Sequence, residues 1–218
     1  MPRDLSEALR LYRLAAQQGN PKALINLAGM YHAGSGVPKN VQEAARLYRL
    51  AADQGIADAM VNLGAIFIQG DGLPSDLEEG IRLYNLAAQQ ESSEAQMRLG
   101  NMYEHGFGVR QDAVEAVRWY TLAIQQGNSS AQYCLGLMLF QGRGVPKDAQ
   151  KASELMQLAA DVGHPHAAAF LHQLEHPAPA NAVDAALDDV PKFRESKQQS
   201  ATQAGPLDSL LACCRMRV

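Results

Sequence analysis

The sequence predicts an all-α fold, a right-handed α-solenoid of antiparallel helix pairs. Three observations carry this. A short string recurs every 36 residues: AAQQG at 15–19, AADQG at 51–55, AAQQE at 87–91, AIQQG at 123–127 and AADVG at 159–163. Single columns keep the same phase, among them Leu27, Leu63, Leu99, Leu135 and Leu171, and the glycines Gly34, Gly70, Gly106 and Gly142. Within each period, apolar residues fall at helical spacing. Self-similarity of this kind marks supersecondary units that bury their apolar faces only against their neighbours.

Each unit reads as two helices. In the first full unit, Ala23, Leu27, Met30 and Tyr31 place helix A over residues 21–33, with Pro21 suited to the first turn. Gly34 supplies a left-handed stop, and the loop GSGVP follows. Asn40 then caps helix B, with Glu43 three residues on completing a capping box. The same pair recurs as Asp4 with Glu7, Asp76 with Glu79 and Asp112 with Glu115, while Asp148 faces Lys151 and loses half of the box. Ala44, Leu47, Tyr48 and Ala51 form the apolar face of helix B, and Gly55 ends it. Ala28, Gly64, Gly100 and Gly136 share a mid-helix column of helix A. A glycine there costs about 1 kcal/mol against alanine, so the column predicts a close approach between helices.

The run Ala95, Leu99, Gly100, Met102, Tyr103, Gly106, Gly108, Val109, Asp112, Ala116, Trp119, Tyr120 and Ala123 resembles the Sel-one-like repeat, a relative of the tetratricopeptide repeat. The 36-residue period and the G-x-G-V loop separate it from the ordinary tetratricopeptide. The resemblance implies a scaffold or adaptor and no catalytic role. Departures are Glu91 for the closing glycine, Gly80 for an alanine, and Leu139 for the aromatic of Tyr31, Phe67 and Tyr103. The period divides the chain into a partial unit 1–19, full units 20–55, 56–91, 92–127 and 128–163, and a capping helix 164–176. Residues 177–218 keep no repeat column and read as a mostly disordered tail, with one short helix at 182–190 as an option.

At the N-terminus, residues 1–4 align with 37–40, so the chain opens on a helix B. Its leucines Leu9, Leu11 and Leu14 lack their usual cover. Two readings stand: a fragment or frayed end, and an edge that self-associates with another chain.

Composition narrows the function. The net charge is −4, which argues against a general nucleic-acid binder. The three cysteines, Cys134, Cys213 and Cys214, form no disulfide framework and favour a reducing, cytoplasmic compartment. No apolar run is long enough to span a membrane. Motifs of chemistry are incomplete. His172 and His176 stand i, i+4 without a third ligand, so no metal is expected. Cys134 has no histidine in a matching column. Cysteine-rich members of the resembled family, linked to β-lactam binding or hydrolysis, staple each helix pair with a disulfide, and the paired cysteines are missing here. No catalytic residue and no cofactor are therefore expected. An amide- or β-lactam-hydrolysing enzyme and an exported factor contacting host proteins remain as alternative functions.

One basic column, Arg10, Arg46, Arg82 and Arg118, has a glutamate three residues before each member and reads as a neutralised, solvated face. The binding surface is expected instead on the concave side, lined by the A helices. Its apolar column is Ile25, Val61, Met97 and Tyr133, with Asn26, Asn62 and Arg98 alongside, and Asn101, Leu137 and Phe140 beyond. The asparagines suit a peptide backbone, and Arg98 suits a partner carboxylate. The competing reading is that half of the apolar column only packs between repeats. The partner expected is a protein or peptide.

Overall fold

The computed structural model describes residues 5–175 and contains ten α-helices and no strand among them. These are α1 (Leu5–Gln17), α2 (Pro21–Ala33), α3 (Val41–Ala52), α4 (Ala57–Gln69), α5 (Leu77–Gln89), α6 (Ser93–His105), α7 (Ala113–Gln125), α8 (Ser129–Gln141), α9 (Ala149–Asp161) and α10 (Pro165–Glu175). Even-numbered helices are A helices and odd-numbered ones B helices. The chain forms two compact units, residues 5–131 and 132–175 of those described, with the change falling inside α8. Asp4, His176, the 182–190 segment and Cys213 and Cys214 lie outside the described residues.

The stop signals act as the sequence predicts. Gly34 takes φ 71° and its N–H bonds the Met30 carbonyl, closing α2 with a left-handed residue. The closing position of the B helix is also left-handed: Gly55 has φ 83°, and Glu91, where the glycine is lost, still adopts φ 62°. A residue with a Cβ loses about 1–2 kcal/mol in that conformation. Glu91→Gly is therefore expected to stabilise unit 1 by up to about 1 kcal/mol, the unfolded-state entropy of glycine offsetting part of the gain. A raised urea midpoint checks it; an unchanged or lowered one removes strain at Glu91 from the account.

The caps correct one expectation. Asn40, Asp76 and Asp148 each accept the N–H of the third helical residue, at 3.0, 3.0 and 2.9 Å, and Asp112 accepts two, from Val114 and Glu115. At the described boxes, those of Asn40, Asp76 and Asp112, the return half is not formed. The N–H of each capping residue is taken by a carbonyl of the preceding A helix: Tyr31 for Asn40, Phe67 for Asp76, Tyr103 for Asp112 and Leu139 for Asp148, at 2.9 to 3.0 Å. That bond ties the start of each B helix to the end of its antiparallel A helix. It also releases the glutamates, so Lys151 in place of glutamate costs the α9 cap nothing.

The glycine column has the predicted close contact, against a ring. Buried Tyr84 and Tyr120 lie against Gly64 and Gly100, where a Cβ would stand 2.8 and 2.7 Å from the rings. In unit 2, Met156 fills the same place against Gly136, at 3.0 Å. Tyr48, Tyr84, Tyr120 and Met156 are themselves spaced by 36 residues, so glycine and ring belong to one repeating contact. Burial pushes the Tyr48 phenol up to about 12. The Tyr120 hydroxyl donates to the buried Glu104 carboxylate at 2.7 Å.

Candidate protein-interaction surface

The A helices place the predicted residues unevenly. Ile25 on α2 is half-buried and Asn26 beside it is exposed. On α4, Asn62 is half-buried and its amide donates to the Asp58 carbonyl one turn earlier, at 2.9 Å. On α6, Arg98 is half-buried, pairs with Glu94 at 2.7 Å and lies 5.9 Å from the Tyr84 ring centroid. Three expectations are corrected. Val61, Met97 and Asn101 are 5%, 2% and 9% exposed and face the helix packing rather than solvent. The apolar column thus divides: Val61 and Met97 serve the core, while Ile25 and Tyr133 keep part of their surface. The surface that unit 1 offers along its A helices is mixed, with Asn26 and Asp58 exposed and Ile25, Ala65, Glu94 and Arg98 half-buried.

Unit 2 offers aromatic surface. Tyr133, Leu137 and Phe140 on α8 are all half-buried. Tyr133 stacks on His164 with centroids 4.8 Å apart, and Phe140 meets Phe170 edge-on at 5.1 Å. The Lys147 ammonium stands 5.5 Å from the Phe140 ring centroid. Leu137 and Tyr133 rest on a core of Met156, Ala159 and Ala167. His164 caps α10, its Nδ1 accepting the Ala167 N–H at 3.3 Å, and burial together with His166 lowers its pKa. Both aromatics are thereby held in place by α10, with one edge still accessible.

The B helices carry the ion pairs expected of a neutralised face. Arg10, Arg46, Arg82 and Arg118 each bond the glutamate three residues before, at 2.5 to 2.8 Å. The sequence reading missed the column beside it. Arg49 on α3 reaches across to Glu79 on α5 at 2.6 Å, so Glu79 holds two guanidiniums, and Arg82 and Arg49 together bring its carboxyl down to about 2. The signal was the pair Arg13 and Arg49, one period apart. Because Glu79 is more acidic folded than its ordinary 4.5, its stabilising contribution is present above pH about 4.5 and is lost as pH falls toward 2. In a carboxyl titration by NMR, Glu79 should ionise at a lower pH than Glu7 and Glu43, and Arg49→Ala should move it up toward Glu43. No difference between Glu79 and Glu43 would contradict the shared carboxylate.

Among the described residues no cluster of three or more metal-ligating side chains occurs. Nor is any helix there long and apolar enough to cross a membrane.

Comparison with known proteins places this architecture. A family model for the Sel1 repeat matches residues 1–20, 21–56, 57–92, 93–128 and 129–164. No curated protein matches. Among solved structures, a Sel1 repeat protein from Oxalobacter formigenes is 36% identical over 76% of this chain and 67% of its own, with a TM-score of 0.71. The protective antigen c5321 of uropathogenic Escherichia coli, described as displaying an SLR fold, is 35% identical over 71% of this chain, with a TM-score of 0.66. This chain covers only 33% of that antigen's length. The immunity protein PA5088 from Pseudomonas aeruginosa is 25% identical over 82% of this chain and 66% of its own, with a TM-score of 0.62. Sel1 repeat proteins generally mediate protein–protein interaction and are typically not enzymes. The chain belongs to the Sel1 repeat family.

Proposed function

We propose that this protein is a non-enzymatic adaptor that binds a protein or peptide through the exposed residues of its A helices. The observation that carries this is the split between framework and free positions. The repeat columns commit Leu27, Leu63, Leu99 and the glycines to packing, whereas Asn26, Arg98, Tyr133, Leu137 and Phe140 vary between repeats and keep accessible surface. Asn26 offers an amide to a peptide backbone. Arg98 offers a guanidinium already oriented by Glu94 and Tyr84, which limits the entropy lost when it pairs with a partner carboxylate. Tyr133 and Phe140 supply the rigid aromatic edges that concentrate binding energy.

The full chain as bait, in wild-type, Arg98→Ala with Tyr133→Ala, and Arg118→Ala forms, tests this by affinity capture and mass spectrometry. A specific partner should be retained by wild type and Arg118→Ala and lost by the double variant. Retention by all three baits would remove the A-helix surface from the account.

A further inference from the structure

A cleft of about 400 Å³ opens between α1 and α3 in unit 1, with α2 beneath it. Leu24, Leu27 and Leu47 form an apolar floor, each 5% exposed or less, and Leu50 stands at the edge, 42% exposed. The rim carries Arg13 from α1 and Glu43 and Arg46 from α3. The cleft is lined by two B helices and the A helix between them, so it is separate from the A-helix surface proposed above.

The next gap along the stack shows what is unusual here. Arg49, one period after Arg13, crosses from α3 to Glu79 on α5, and its guanidinium lies 5.5 Å from the Phe67 ring centroid. That side chain bridges the two B helices and ends on a carboxylate, which it shares with Arg82. In the first gap the ring below is Tyr31 instead of Phe67, and its hydroxyl accepts the Arg13 guanidinium at 3.0 Å. Glu43 is engaged by Arg46 through two bonds, at 2.9 and 2.7 Å. Arg13 therefore stops at a neutral phenol, with no carboxylate paired to it among the described residues. The rim holds two cations and one anion over an apolar floor.

We propose that this cleft binds an acidic peptide in trans, an apolar side chain on the leucine floor and the carboxylate of an adjacent Asp or Glu on Arg13. The exchange is favourable because a charged acceptor replaces a neutral one at a guanidinium already positioned on the rim. The volume lies within the range of ordinary ligand sites and accepts a side chain of leucine or phenylalanine size. Leu50, at the edge, extends the apolar surface beyond the floor and gives a neighbouring side chain of the same peptide a second contact.

The test uses the full-length protein and short synthetic peptides carrying Leu or Phe flanked by Asp or Glu, with Asn and Gln versions as controls, read by fluorescence anisotropy. Wild type should bind a subset of the acidic peptides, and the neutral controls should bind about tenfold more weakly or worse. Arg13→Gln should lose about the same factor. Tyr31→Phe should weaken binding too, because it recreates the next gap and lets Arg13 cross to Glu43; this variant removes one exposed hydroxyl contact and keeps the ring. Arg98→Ala and Tyr133→Ala should leave this binding unchanged, so its loss and the loss of the A-helix surface are told apart. The proposal is overturned if no acidic peptide binds, if neutral controls bind equally, or if Arg13→Gln binds as wild type does. Binding of dodecanoate without binding of any acidic peptide would reassign the cleft to lipid carboxylates and overturn it as well.

Discussion

Gly100→Leu should unfold unit 1 under conditions where Gly36→Ala leaves it folded. A Cβ at Gly100 would stand 2.7 Å from the Tyr120 ring, which is fully buried. The ring has no second place to go, because its hydroxyl is bonded to buried Glu104. Overpacking of this kind costs about 1–3 kcal/mol, and separating a buried carboxylate from its donor adds about 1–3 more. Gly36 is different. Its φ of 73° strains any side chain, and an added Cβ meets Leu5 at 3.1 Å, but the position is exposed. The expected loss there is about 1–2 kcal/mol. Equal urea midpoints for the two variants would contradict the close-contact account of the glycine column.

The second large effect concerns binding. Once a partner is captured, Arg98→Ala and Tyr133→Ala should each weaken it by about 1–3 kcal/mol with the helical signal intact. Arg98 pairs with Glu94 and lies over the Tyr84 ring with its side chain 20% exposed, so the melting temperature of Arg98→Ala is measured alongside its binding. Tyr133 also stacks on His164, which caps α10, so its truncation should lower the melting temperature as well. A partner that binds both variants as tightly as wild type would remove the two residues from the site.

Much of the fold was legible because period, helical spacing and turn residues agree. Pro21, Gly34 and Asn40 mark the boundaries of α2 and α3 that the structure shows. The reciprocal capping box was not, since the competing acceptor for the Asn40 N–H is the Tyr31 carbonyl, which only the antiparallel pairing brings near. The site was legible in part. Phase tells which way a side chain points along a helix but not how far neighbouring helices cover it, so Ile25, Val61 and Met97 look alike in sequence and differ in exposure. Glu104 stands in a column with His32, Ile68 and Phe140, and nothing local marks it as the buried partner of Tyr120. The cleft at Arg13 turns on one hydroxyl, Tyr31 against Phe67, a difference that resembles mere tolerance until the two gaps are compared.

On the proposed function, the A-helix face grips the partner and the arginine ladder of the B helices does not. Calorimetric titration of a captured partner against Arg98→Ala and Arg118→Ala tests it most directly. Both substitutions remove an arginine paired to a glutamate on its own helix, at 2.7 and 2.8 Å; Arg98 lies on the A-helix face with its side chain 20% exposed, and Arg118 on a B helix at 59%. The account predicts a Kd raised about tenfold or more for Arg98→Ala and unchanged for Arg118→Ala. The reverse order would contradict it and make the ladder the binding surface.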